Sequence, residues 1–169
     1  ADAALMVATF ASGAHAAGVT LVVLHSLAIA ALVLATAATA GTQTDLGQLG
    51  GSGVRARRHA GAAVASAVVI SGAPVPLLGA FWGRDALAQS ALSSDALPGA
   101  GWALLVLGFS ASLALSFAVW RTCFLLYFGS GPTVRDARLP VLGRTSRALA
   151  VAALCLGALA INSVSVGDL

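Results

Sequence analysis

Lysine and glutamate are absent from this 169-residue chain. Every cation is one of nine arginines and every anion one of six aspartates, so charged residues make up only 9% of the sequence. A soluble domain carries roughly 25%, and a chain with so few charges could not cover its own surface with groups that water solvates. Cysteine is scarce too. Cys123 and Cys155 both lie in apolar runs without metal-ligand spacing, so they read as small packing residues. No nucleotide cradle, metal constellation or nucleophile triad is visible. "GSGP" at Gly129 and "GGSG" at Gly50 are turn sequences and not phosphate loops. No cofactor, no metal and no active site of its own are therefore expected. The net charge of +3 falls in the loops and is not a nucleic-acid footprint.

What remains is apolar. Hydrophobic residues make up 59% of the chain, and the mean hydropathy is +0.94. This predicts an all-α integral membrane protein. A membrane crossing needs about 20 consecutive apolar residues. Ala3–Ser12 is too short and reads as the tail of an earlier helix. Spans are predicted over 16–40, 59–92, 102–128 and 148–164. The second is broken at 72–79, where Pro74 and Pro76 stand between Gly72 and Gly79. Each proline removes a backbone donor and clashes with the preceding turn. The expected fold is thus a multi-span helical bundle with one discontinuous transmembrane helix. All of 1–169 forms a single transmembrane region, with the lipid bilayer as its first partner. The start at Ala1, without a charged n-region or a cleavage site, suggests a fragment of a longer protein and no signal peptide.

Loop charge gives the expected orientation. Arg55, Arg57 and Arg58 lie in the first long loop, and Arg135, Arg138, Arg144 and Arg147 in the last. The turn between Leu92 and Trp102 carries only Asp95. This alternation predicts that loops 41–58 and 129–147 face the cytoplasm, with the broken segment crossing once. Trp102, Trp120 and Tyr127 fall near span ends, where an aromatic belt would place them.

Four residues are candidates for an ion path. Freed carbonyls at a helix break persist only where protein or water satisfies them, and broken helices mark binding sites in transporters. Arg84 and Asp85 follow the break within about two turns, in an apolar context; the bland alternative ends the helix there and lets both snorkel to the interface. One of the pair is expected to find a partner on another helix, with His25 and Arg121 as candidates for Asp85. His25 lies mid-way along a charge-free span, where it is either a proton relay or a packing histidine. His15 falls at the interface. Arg121 either reaches the headgroups or pairs with a buried acid.

Three stretches in register resemble a known family. "GAHAAGVTLVVLHSLAIAALVLATAATAGTQTDLGQLGG" is similar to a helix reading H-x-x-x-H-A-L-F-K-A, followed by a loop ending D-[IL]-x-x-[LM]-G-G. "SGAPVPLLGAFWGRDALAQSAL" is similar to A-G-[IL]-P-P-x-x-G-F-F-S-K-D-x-I-L, and "SFAVWRTCFLLYFG" to F-Y-x-F-R-x-x-F-x-x-F-x-G. Together they resemble the antiporter-like, proton-translocating membrane subunits of respiratory complex I. The likeness is to the chain-5 or L type of NADH:quinone oxidoreductase, itself related to the large subunits of multisubunit Na⁺/H⁺ antiporters. It covers most of residues 12 to 130, about the distal third of such a subunit.

The resemblance implies a subunit of a multisubunit complex in a bacterial cytoplasmic membrane. It would contribute part of a proton or cation path and have other membrane subunits as partners. His25 matches the second histidine of the first motif, Arg84 and Asp85 match the Lys-Asp pair of the broken helix, and Arg121 matches the family arginine. Three positions depart from the pattern. Leu21 replaces the first histidine, Ile29 replaces the central lysine, and Arg84 replaces the lysine of the broken helix. Ile29 lies one turn after His25, on the same face by helical spacing. Isoleucine cannot carry a proton, and arginine stays charged at any biological pH. The alternative is therefore a diverged, non-pumping structural paralogue in an ion or inorganic-carbon transport complex. The expectation for translocation is a weak or inactive half-channel.

Overall fold

The computed structural model describes Val7, 15–40, 50–51, 56–72, 83–86, 88–89, 92, 101–129 and 140–165. The described residues are all-helical, with no strand among them. Helix α1 spans His15–Ala40, α2 Arg57–Ser71, α3 Gly101–Cys123 and α4 Pro140–Ser165. A turn of π-helix, Phe124–Phe128, extends α3. Two helices are long and apolar enough to cross a membrane, over Gly18–Ala40 and Gly101–Phe128. These match the predicted first and third spans.

The other two predicted spans differ. α4 begins at Pro140, eight residues before the predicted start at 148, so Arg144 and Arg147 lie on its first turns and not in a loop. Proline suits a first helical position, because its missing N–H would have no partner there anyway. α2 has 15 residues, about 22 Å at 1.5 Å per residue, and is too short to cross a bilayer by itself. The expected short leading helix lies outside the described residues except at Val7.

Small residues make the core. α1 packs on α2 and α4, α2 packs on α3 and α4. The contacts are built from Ala28, Ala31 and Ala35 of α1, Ala63, Ser66 and Ala67 of α2, and Ala150 and Ala153 of α4, all buried. Alanine and serine at such faces let helix backbones approach closely, as they do between membrane helices. Hydroxyls inside the helices bond locally. Thr36 donates to the Val33 carbonyl, Ser66 to Ala62, Ser116 to Ser112 and Thr122 to Ala118, at 2.7–2.9 Å. None of these groups then needs water.

The helix ends show how the bundle is threaded. Thr39, near the end of α1, meets the Tyr127 hydroxyl at 3.2 Å. A Cβ on Gly51 would stand 2.9 Å from the Gly129 carbonyl. Arg147, early in α4, lies within electrostatic reach of His59, early in α2. The C-terminal ends of α1 and the π-turn and the N-terminal ends of α2 and α4 therefore gather at one end of the bundle. Ala40 and Gly129, after which the chain continues, both lie at that end. We predict that single cysteines at Thr42 and Ser130 react with an impermeant maleimide from the same membrane side; labelling from opposite sides would overturn this threading.

Tyr127 departs from the belt expectation. It is 2% exposed and bonded to Thr39, so it is a bundle residue. Trp102, at 68% exposed, fits the expected position.

Candidate functional site: the C-terminus of helix α2

α2 stops at Ser71 because Gly72 turns left-handed, with φ 56° and ψ 44°. Its N–H points back to the Val68 and Val69 carbonyls, a capping turn that glycine adopts without strain. Ser71 contributes a further local bond, its hydroxyl donating to Val68 at 3.1 Å. Pro74, Pro76 and Gly79 lie outside the described residues. The chain is helical again at Gly83–Ala86.

Arg84 reaches back to this helix end. Its Nη2 donates to the Ile70 carbonyl at 2.7 Å and its Nη1 donates to the Ser71 carbonyl. These are two of the last four carbonyls of α2, which have no partner within their own helix. They also form the negative end of its dipole, where a cation is favoured. Arg84 is thus a half-buried residue that clasps another helix and does not extend away from the bundle. Gly83, just before it, packs on α1, where a Cβ would come within 2.8 Å of Leu21 Cγ.

Leu21 leads to His25. Leu21 is fully buried and His25 is 1% exposed. His25 Nδ1 lies 3.0 Å from the Leu21 carbonyl, so Nδ1–H is the donor and Nε2 is the nitrogen that can take up a proton in the neutral ring. The Leu21 side chain meets Gly83 while its carbonyl meets His25. His25, Gly83, Arg84 and the α2 terminus are therefore linked at one level of the bundle. That level is deep. Cys123 Sγ lies 3.8 Å from the Ala63 carbonyl, and Tyr127, one turn later, is bonded to Thr39. Ser71 lies eight residues beyond Ala63, about 12 Å further from the gathered end.

The remaining candidates lie apart. Asp85 accepts a 2.8 Å hydrogen bond from Gln89 Nε2 on its own helical segment, and not from His25 or Arg121 as expected. Arg121 is exposed in the last turn of α3, the arrangement of an arginine that reaches outward and not one paired with a buried acid. Ile29 is 40% exposed, against 1% for His25, so it lies off the buried face it was expected to share. A step of four residues advances 400°, and the resulting 40° offset takes Ile29 over the edge of the buried stripe of Leu21, Leu24, His25, Ala28 and Ala31. No metal-holding group of His, Cys, Asp or Glu occurs among the described residues.

Sequence reasoning singled out Arg84 but missed its bonds to the α2 terminus. The signal available was the chemistry of the terminus: a helix ending in apolar surroundings leaves carbonyls that require a donor, and Arg84 is the first cation after it in the sequence. No family model matches this chain, and neither a curated protein nor a solved structure is found similar to it.

Proposed function

We propose that this chain is a membrane-embedded subunit of an ion-translocating complex of antiporter-like architecture, and that its own half-channel is held closed. The observation that carries this reading is the Arg84 clasp on the Ile70 and Ser71 carbonyls. A break at mid-depth in an apolar bundle is where transporters bind ions. Here the C-terminus of α2 holds a cation that cannot give up a proton. The resemblance to the complex I subunits supports the architecture. Two apolar helices of spanning length support the membrane, as do the small-residue interfaces and an outer face bearing Phe109, Leu113 and Phe117, each more than 60% exposed. The arginine-bearing end of the bundle then faces the cytoplasm, by the positive-inside tendency.

A second reading, an active proton path, is favoured by one observation: His25 is buried at the level of the α2 terminus. Proton flux separates the two. In vesicles holding the chain with its native partners, His25→Ala is expected to leave flux within about twofold of wild type, whereas loss of a positioned proton carrier costs roughly 10²-fold or more. A loss of that size would establish the active path and reject the closed one.

A further inference from the structure

The α2 terminus is built like a cation site. Two carbonyl oxygens, Ile70 and Ser71, face one guanidinium. The helix dipole adds partial negative charge there. Gly72 supplies an open floor: a Cβ at this residue would overlap the guanidinium, with Arg84 Nε only 2.8 Å away. The neighbouring Val68 and Val69 carbonyls are already taken by the Gly72 N–H, so the two oxygens left for a ligand are the two that Arg84 holds. Unwound carbonyls and half-helix C-termini are the groups that coordinate monovalent cations in transporters and channel filters.

We propose that the C-terminus of α2 is a monovalent-cation site and that the chain fills it with the Arg84 guanidinium as a tethered ligand. The packing of Gly83 on Leu21 fixes the base of the side chain, so the tether is short and the ligand is always present at high effective concentration. The planar fork gives one N–H donor to each of the two adjacent carbonyls. Because arginine does not titrate in proteins, occupancy does not change with pH. A free cation can enter only when the tether is cut. This inference deepens the closed-channel reading by naming what closes it, but it rests on the Arg84 geometry and stands whether or not the chain conducts.

The test is stability of the full chain in nanodiscs, wild type against Arg84→Ala, with millimolar guanidinium chloride, sodium chloride or potassium chloride at equal ionic strength. Arg84→Ala is expected to lower Tm by about 5 °C or more, from the loss of two charge-assisted bonds. Guanidinium should restore at least half of that loss in the variant and leave the wild type unmoved. Selective restoration by sodium or potassium would also support the site and would identify an alkali ion as its free ligand. An Arg84→Ala chain as stable as wild type, or equal responses of both chains to every cation, would overturn the proposal. Should the variant fail to fold, nitrogen-15 spectra of the wild-type arginines decide. Clasped Nη groups of Arg84 give separate, slowly exchanging signals, and a single averaged signal for Arg84 refutes the tethered ligand. These readouts do not depend on flux, so failure of the site and failure of the closed-channel reading are distinguishable.

Discussion

Gly72→Val is expected to destabilise the chain by about 4 kcal/mol or more, combining left-handed strain with the loss of charge-assisted bonds. Two effects act together. The backbone at Gly72 has φ 56°, which a β-branched residue adopts only with strain. The new Cβ would also overlap the Arg84 guanidinium, so the clasp on Ile70 and Ser71 must open. Both carbonyls would then lose their charged donor. Gly72→Ala should show most of the same loss, since its Cβ meets the same atoms. Gly61 provides the control. It lies within α2, and a Cβ there meets nothing within 4 Å, so Gly61→Ala should be neutral or stabilising by up to about 1 kcal/mol. Unfolding of all three variants by detergent titration measures the contrast. A Gly72→Val chain within about 1 kcal/mol of wild type, a typical single-mutant effect, would mean that neither the turn nor the clasp matters.

The helices were legible in the sequence where apolar length alone decides. Val19 to Ala40 contains no charge, and α1 runs through it. The apolar run from Trp102 to Phe128 likewise predicted a span there, which α3 and the π-turn fill, though not the π geometry. The stop at Ser71 was legible from Gly72 and the prolines that follow. Which alanines meet was not legible, because mutual contact is a property of the bundle. The start of α4 was misread, because arginines 144 and 147 resemble loop charges until Pro140 is recognised as a helix start.

The site was less legible, for a physical reason. Sequence spacing gives angle around one helix, and a site is made between helices. Ile29 illustrates this. Its four-residue spacing from His25 is correct, yet the buried stripe of α1 is narrow enough that a 40° offset leaves Ile29 at 40% exposure. Tyr127 fails in the opposite direction. Its position near a span end suits an interfacial residue, but it turns inward to Thr39. Arg84 and Asp85 are adjacent and opposite in charge, which invites pairing. Neighbours on a helix do not face each other. Arg84 instead bonds to backbone oxygens thirteen and fourteen residues earlier, and Asp85 to Gln89 four residues later.

The outer face of α3 is expected to lie against lipid. Trp102, Phe109, Leu113, Phe117, Phe124 and Phe128 are each more than half exposed, and their spacing of four or seven residues lays them along one side of the helix. Trp120, Phe124 and Phe128 stack in series with ring centroids 5.9 and 5.7 Å apart. Leu113 is the most exposed of the large apolar residues among those described, at 74%, and lies near the middle of the Gly101–Phe128 span. In water, Leu113→Asp would change stability by no more than about 0.5 kcal/mol, as surface substitutions do, and would improve solubility. In a bilayer the same change costs about 3–4 kcal/mol of insertion free energy, because aspartate at a span centre is as unfavourable as leucine is favourable there and more. Trp102→Asp, at the span end, should cost much less because depth falls towards the headgroups. The measurement is the membrane-inserted fraction of each variant, by alkaline extraction and by glycosylation mapping of the Gly101–Phe128 segment. The expected order is wild type, then Trp102→Asp, then Leu113→Asp with most of its insertion lost. If Leu113→Asp inserts as well as wild type, or yields a soluble, monodisperse chain, then lipid does not cover this face and the membrane placement of the bundle fails with it.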